Sequence, residues 1–124
     1  MPAAFDLVTI DTPQPEELAA FWCAVLTLHE SEREDAGRWI VLSSADGTRR
    51  LGLQRGHHRP GGCHLDLLCA PVEFDDEVNR LVLLGAAVSG PPRREPYGYI
   101  VNMADPEGNR FDLCAYRHGG AAIT

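Results

Sequence analysis

The sequence contains no lysine. Its eleven basic side chains are all arginine, set against eighteen Asp and Glu, for a net charge of −7. A surface of that sign repels phosphate backbones, so nucleic acid is not an expected partner. Long apolar runs are lacking too. None approaches the ~18 residues that mark a membrane-spanning helix, so no membrane partner is expected. The opening MPAAFDLVTID has neither a basic start nor an apolar segment of signal-peptide length. The four cysteines, Cys23, Cys63, Cys69 and Cys114, form no C-x-x-C pair. They read as reduced, mostly buried thiols of a cytoplasmic protein, with a disulfide as the alternative. No G-x-S-x-G elbow, phosphate-binding loop or dinucleotide fingerprint is present.

What is present suits one globular domain over residues 1–124, with 44% hydrophobic residues to build a core. The pattern within it is written twice. Residues 5–11, FDLVTID, alternate as a strand does. Pro13 and Pro15 end it, and Pro15 fits the first position of a helix, with Glu16 and Glu17 favourable in its first turn. Leu18, Phe21, Trp22 and Val25 then give that helix one apolar face. Three extended segments follow, 28–34, 38–44 and 49–55, the last two joined by the turn ADGT (45–48).

The order then recurs. CHLDLLC (63–69) is a strand, and Pro71 punctuates. VEFDDEVNRLVLLG is a helix with an apolar face of Phe74, Val78, Leu81 and Val82 and a stop at Gly85. Extended segments 86–90, 97–103 and 109–115 close the second copy, with DPEGN as the last turn. With an offset of 60, Ile40 and Val41 fall on Ile100 and Val101, and Gly52 falls on Asp112. The expected organisation is α+β: two β-α-β-β-β modules, 1–56 and 63–118, joined by a glycine-rich linker, 57–62.

Residues two apart in a strand share a face. If the apolar set of each strand covers a helix, the opposite faces collect Leu7, Thr9, Asp11, Arg50, Gly52, Gln54, His64, Asp66, Arg110 and Asp112. Two such sheets could curve together around a polar-lined cleft. The alternative is that these faces meet water, as antiparallel sheets commonly do.

The strand followed by PEELAAFW, the HLDL strand, the LVLLGAAV helix exit and ADPEGNRFDL together resemble the vicinal-oxygen-chelate superfamily. Its members include glyoxalase I, extradiol dioxygenases, and bleomycin- and fosfomycin-resistance proteins. The resemblance covers nearly the whole chain, and ADPEGNRFDL is its most specific part. It implies paired modules whose sheets form an open, barrel-like cleft, a small-molecule ligand, and a homodimer. It also implies a divalent metal (zinc, nickel, manganese or iron) held by four side chains, two from each module. The second-module pair maps to His64 and Asp112. The first-module pair maps to Leu7 and Gly52, which cannot ligate, so the resemblance implies a degenerate metal site.

Two functions follow. One is a lyase, isomerase or oxygenase with His64 and Asp112 as its catalytic residues and metal ligands. The other is a metal-free protein that sequesters an aromatic or antibiotic-like ligand. Gln54 or Asp66 could add a third donor in the first case. Without a metal, His64 suits a general base or a donor to a ligand, since histidines as a class change charge near neutral pH. Asp66 is expected ~7 Å along the strand from it. Arg50 and Arg110 could clamp an anion, and Trp39 and Tyr99, on matching third strands, could form an aromatic wall for a flat ligand. The cluster HHRPGGCH, with His57, His58, Cys63 and His64, does not have the spacing of a structural zinc site.

Overall fold

The computed structural model describes residues 5–61, 64–95 and 98–116. Cys63, the end of the linker at Gly62, the start of segment 97–103 and the tail from His118 lie outside the described residues. The fold is mixed α+β. The chain divides into two compact units, Met1–Arg59 and Pro60–Thr124, each with its own sheet and helix.

Unit 1 runs β1 (Val8–Thr12), α1 (Pro15–Leu26), β2 (His29–Glu34), β3 (Trp39–Ser43) and β4 (Arg50–Arg55). Its sheet has the order β1-β4-β3-β2, with β1 and β4 parallel and the other pairs antiparallel. Pro15 opens α1 as expected, where its missing N–H costs nothing. Thr27 closes the helix in the left-handed region at φ 54°. Leu18, Phe21, Trp22 and Val25 are all buried, and α1 packs on β3 and β4. The Phe21 and Trp22 rings meet edge to face, 5.0 Å apart. The sheet edge, β2, is HESERE with every residue exposed. Its alternating charges discourage pairing with another strand.

Unit 2 runs β5 (Leu65–Leu68), α2 (Phe74–Leu84), β6 (Ala87–Val88), β7 (Arg93–Glu95), β8 (Gly98–Ala104) and β9 (Arg110–Tyr116). The order is β5-β9-β8-β6, with β7 also pairing β8. β5 and β9 are parallel, as β1 and β4 are. Gly85 ends α2 at φ 119°, donating to the Leu81 and Val82 carbonyls, which is the expected stop. The expected apolar face is only half right. Phe74 and Leu81 are buried, but Val82 is 45% exposed. The sequence reading also missed β7. In unit 1 a single strand, β2, pairs with β3. In unit 2 that strand is split into β6 and β7 by residues 89–92, SGPP, whose prolines cannot donate to a ladder.

One register differs between the units. Gly52 pairs with Val41 in unit 1, whereas Asp112 pairs with Asn102 in unit 2. The loop 105–109 between β8 and β9 is one residue shorter than the loop 44–49 between β3 and β4. The offset is therefore 60 for the last strands and 61 for the strands before them. Ile40 and Val41 correspond to Val101 and Asn102, not to Ile100 and Val101. A one-residue slip turns every side chain to the other face. Among the described residues, no helix is long and apolar enough to cross a membrane.

Candidate functional site

β5 and β9 run side by side in register, so Asp66 and Asp112 are direct neighbours on the sheet face opposite α2. Two adjacent carboxylates repel, and the surroundings have to offset that repulsion. Asp112 is 3% exposed, and each of its oxygens accepts at least one hydrogen bond. Asn102 Nδ2 donates to its Oδ1 at 2.7 Å. Arg110, two residues before it on the same face, donates from Nε to Oδ1 at 3.2 Å and from Nη2 to Oδ2 at 3.1 Å. His64 stands just ahead of β5, with Nε2 3.5 Å from both Asp112 Oδ2 and Asp66 Oδ1. Burial pushes the Asp112 carboxyl up. The hydrogen bonds of Arg110 and Asn102 and the charges of Arg110 and His64 together outweigh it, so the carboxyl sits below its ordinary value.

The hairpin turn fixes this register. Asp105, 3% exposed, accepts the Glu107 and Asn109 N–H groups on Oδ1 and the Asn109 side-chain amide on Oδ2, at 2.8–2.9 Å. Gly108 takes the left-handed conformation that turn demands, φ 83°. The closed turn pairs Ala104 with Arg110, and so Asn102 with Asp112.

Unit 1 has the same framework without the chemistry. Thr9 pairs with Gly52 as Asp66 pairs with Asp112. Leu7 precedes Thr9 by two residues, as His64 precedes Asp66. This settles the first-strand register: Leu7 and Gly52 are the counterparts of His64 and Asp112. A Cβ on Gly52 would lie 2.6 Å from Trp39 Cη2, 3.0 Å from Thr9 Oγ1 and 3.1 Å from Leu7 Cδ1. Gly52 is not among the positive-φ residues. Glycine is favoured there by the close approach of the half-buried Trp39 indole, which occupies the space a ligand side chain would need.

His64, Asp66 and Asp112 come together, with ligand atoms within 4.8 Å of one another. The His64–Asp66 separation is shorter than the expected ~7 Å strand spacing, because the side chains lean together. Arg110 is tied to Asp112, and Arg50 to Asp6. Gln54 is exposed, across the strand pair from Trp39. Trp39 and Tyr99 do not form matching parts of a wall. Tyr99 pairs with Ala115 on the face toward α2 and packs against Phe74, ring centres 5.5 Å apart, whereas Trp39 lies on the open face of its sheet. The register slip is the reason.

Sequence reasoning missed Asn102, and with it Arg93, whose Nη1 donates to Asn102 Oδ1 at 2.9 Å. Counting pairs outward from a closed DPEGN turn would have found Asn102.

One imidazole and two carboxylates are a reasonable donor set for a divalent first-row ion. They do not fit the four-side-chain centre that the family resemblance implies. Both oxygens of Asp112 already serve a guanidinium and an amide, and positions 7 and 52 offer no donor.

Two β-α-β-β-β units, with an acid–histidine cluster on the open face of the second, define the vicinal-oxygen-chelate class. The glyoxalase-like domain family matches residues 7–114, and the chain belongs to that family. No curated protein sequence matches it. Among solved structures it is similar to a glyoxalase/bleomycin resistance protein/dioxygenase family enzyme from Burkholderia phytofirmans. That match has 19% identity and a TM-score of 0.79, covering 93% of this chain and 100% of that one. It is similar also to the fosfomycin resistance protein FosX of Listeria monocytogenes, solved with Mn(II) and 1S,2S-dihydroxypropylphosphonic acid. There the identity is 16% and the TM-score 0.78, covering 97% and 95% of the two chains. A third likeness is to protein ATC0852 of Agrobacterium tumefaciens, at 20% identity and TM-score 0.77, covering 94% and 99%. At these identities the likeness is one of fold.

Proposed function

We propose that this protein is a small-molecule-binding member of the glyoxalase-like family that works without a metal held by four side chains. The observation that carries this reading is the state of the two matched positions. Both oxygens of Asp112 accept from Arg110 or Asn102, and Gly52 is covered by Trp39. The half-buried Trp39 indole offers a flat ligand a stacking surface. His64 offers a hydrogen bond to a polar group of a ligand.

A second reading is favoured by the three donors of His64, Asp66 and Asp112 lying within 4.8 Å and by the Mn(II) of FosX. It is a lyase, isomerase or oxygenase that takes up a zinc, nickel, manganese or iron ion.

Bleomycin and fosfomycin, each with and without Mn(II), separate the two readings. Bleomycin binding in the presence of a chelator, reduced up to roughly tenfold in Trp39→Ala for the loss of one stacked aromatic, is the result expected. Consumption of fosfomycin that needs Mn(II) and disappears in His64→Ala would replace the first reading with the second.

A further inference from the structure

Unit 2 carries a cavity of about 370 Å³. It lies where the SGPP segment splits the outer strand. Its walls are Pro71, at the approach to α2, and Pro92, ahead of β7. Its aromatic lining is Tyr99 and Phe74, stacked at a tilt of 34°. The charged lining includes Asp75, in the first turn of α2, and Arg94, directly across the strand pair from Tyr99. Among the described residues, neither the Asp75 nor the Arg94 side chain has a hydrogen-bond or ion-pair partner. Six of the nine other described arginines are engaged: Arg33 by Glu16 and Glu30, Arg38 by Asp35, Arg50 by Asp6, Arg80 by Glu77, Arg93 by Asn102 and Arg110 by Asp112.

A small, mostly apolar concavity with a few convergent polar groups is the usual form of a ligand site. Here the charged lining is Asp75, Arg94 and Arg93 beside two rings, and the Arg93 guanidinium is held by Asn102, which leaves Arg94 and Asp75 as the convergent pair. We propose that this cavity binds a small zwitterion bearing a flat ring, the chemical class of an aromatic amino acid. The ring lies against Tyr99 and Phe74 in an offset stack. The carboxylate takes the Arg94 guanidinium, whose fork matches it, and the ammonium faces Asp75. An anion without a cationic group meets the uncompensated Asp75, and a cation without a carboxylate meets Arg94, so each is bound less well. The ring, Arg94 and Asp75 stand on the α2 side of the sheet, and the site needs no metal; Arg93, which also lines it, reaches Asn102 beside Asp112 on the other face.

The test is a titration of the full chain, followed by backbone amide NMR, with three probes: L-phenylalanine, 3-phenylpropionate and phenethylamine. L-phenylalanine should give saturable shifts at the amides of Phe74, Asp75, Arg94 and Tyr99, with a Kd on the order of 1 mM for so small a ligand. Each probe lacking one charge should bind roughly tenfold more weakly, the equivalent of one charge-assisted contact. Arg94→Gln should weaken L-phenylalanine and 3-phenylpropionate and spare phenethylamine, and Asp75→Asn should do the reverse. Both positions are exposed, so an unchanged melting temperature is the control for folding. Absence of saturable shifts at these amides overturns the proposal. So does equal binding of L-phenylalanine and 3-phenylpropionate, or affinity unchanged in both variants.

Discussion

Positions 52 and 112 occupy the same place in the two units, and they have gone opposite ways. At 112 a buried carboxylate is surrounded by donors: Asn102 and Arg110 on its two oxygens, His64 at 3.5 Å. At 52 there is no side chain, and Trp39, Thr9 and Leu7 close over the backbone. The strands beneath are alike, β1 beside β4 and β5 beside β9, each parallel and in the same register. The framework of this fold therefore does not dictate its chemistry. A pair of parallel strands presents three side chains to one face, and what those are decides whether the face is a polar cluster or an apolar plug.

The units also differ in how firmly their helices are held. α1 buries six residues, α2 only Phe74 and Leu81. The largest effect is therefore expected in unit 1. Trp22→Ala should cost about 4 kcal/mol in urea denaturation, whereas Val82→Ala, on the exposed flank of α2, should stay within about 0.5 kcal/mol. Equal losses at the two positions would break the contrast.

Next in size is Asp112→Ala, at about 2 kcal/mol. It strips the acceptor from Asn102 and Arg110 in a buried setting, and the exposed side of Arg110 lets water replace part of the loss. Asp112→Asn keeps the shape but not the charge and should recover less than half of that loss. Smaller again is Gly52→Ala, at about 1 kcal/mol, because the new methyl group must push the Trp39 ring aside. In a Trp39→Ala background the same change should cost little. The non-additivity of the double mutant measures the contact.

The two hairpin turns supply the smallest effect. In unit 1 the turn aspartate, Asp46, is exposed and accepts from the Ser44 hydroxyl and from the Thr48 backbone and hydroxyl. Led by the Ser44 hydrogen bond, these contacts lower its carboxyl to about 2, against an ordinary 3.8. A carboxyl lowered in the folded state stabilises the fold above its unfolded value. That contribution fades as the pH falls from 3.8 toward 2. An NMR titration should place the Asp46 midpoint near 2, and Ser44→Ala should raise it. A midpoint left in place by Ser44→Ala would show that the turn, not the hydroxyl, sets the value.

Much of this was legible in the sequence. Pro15 and Gly85 mark helix ends because each suits only a few backbone positions. The alternation in HLDLL and RFDL put His64, Asp66 and Asp112 on one face, where the structure has them. The Arg110–Asp112 contact was also implicit, since residues two apart in a strand share a face. What was not legible depended on counting across loops. One residue fewer between β8 and β9 turned Tyr99 toward α2 and brought Asn102 beside Asp112. The repeat, read at a single offset, concealed that. Arg93 was missed for a similar reason: two prolines split the edge strand, and three residues are too short a run for alternation to show.

On the proposed reading neither half of the implied metal site holds an ion: positions 7 and 52 offer no donor, and both Asp112 oxygens already accept hydrogen bonds. Elemental analysis tests it most directly. The purified protein is stripped with chelator, loaded in turn with manganese, nickel, zinc and iron, and desalted. Far less than one equivalent of any of the four is the expected result. One equivalent of a single metal, retained through desalting and absent in His64→Ala, would contradict it.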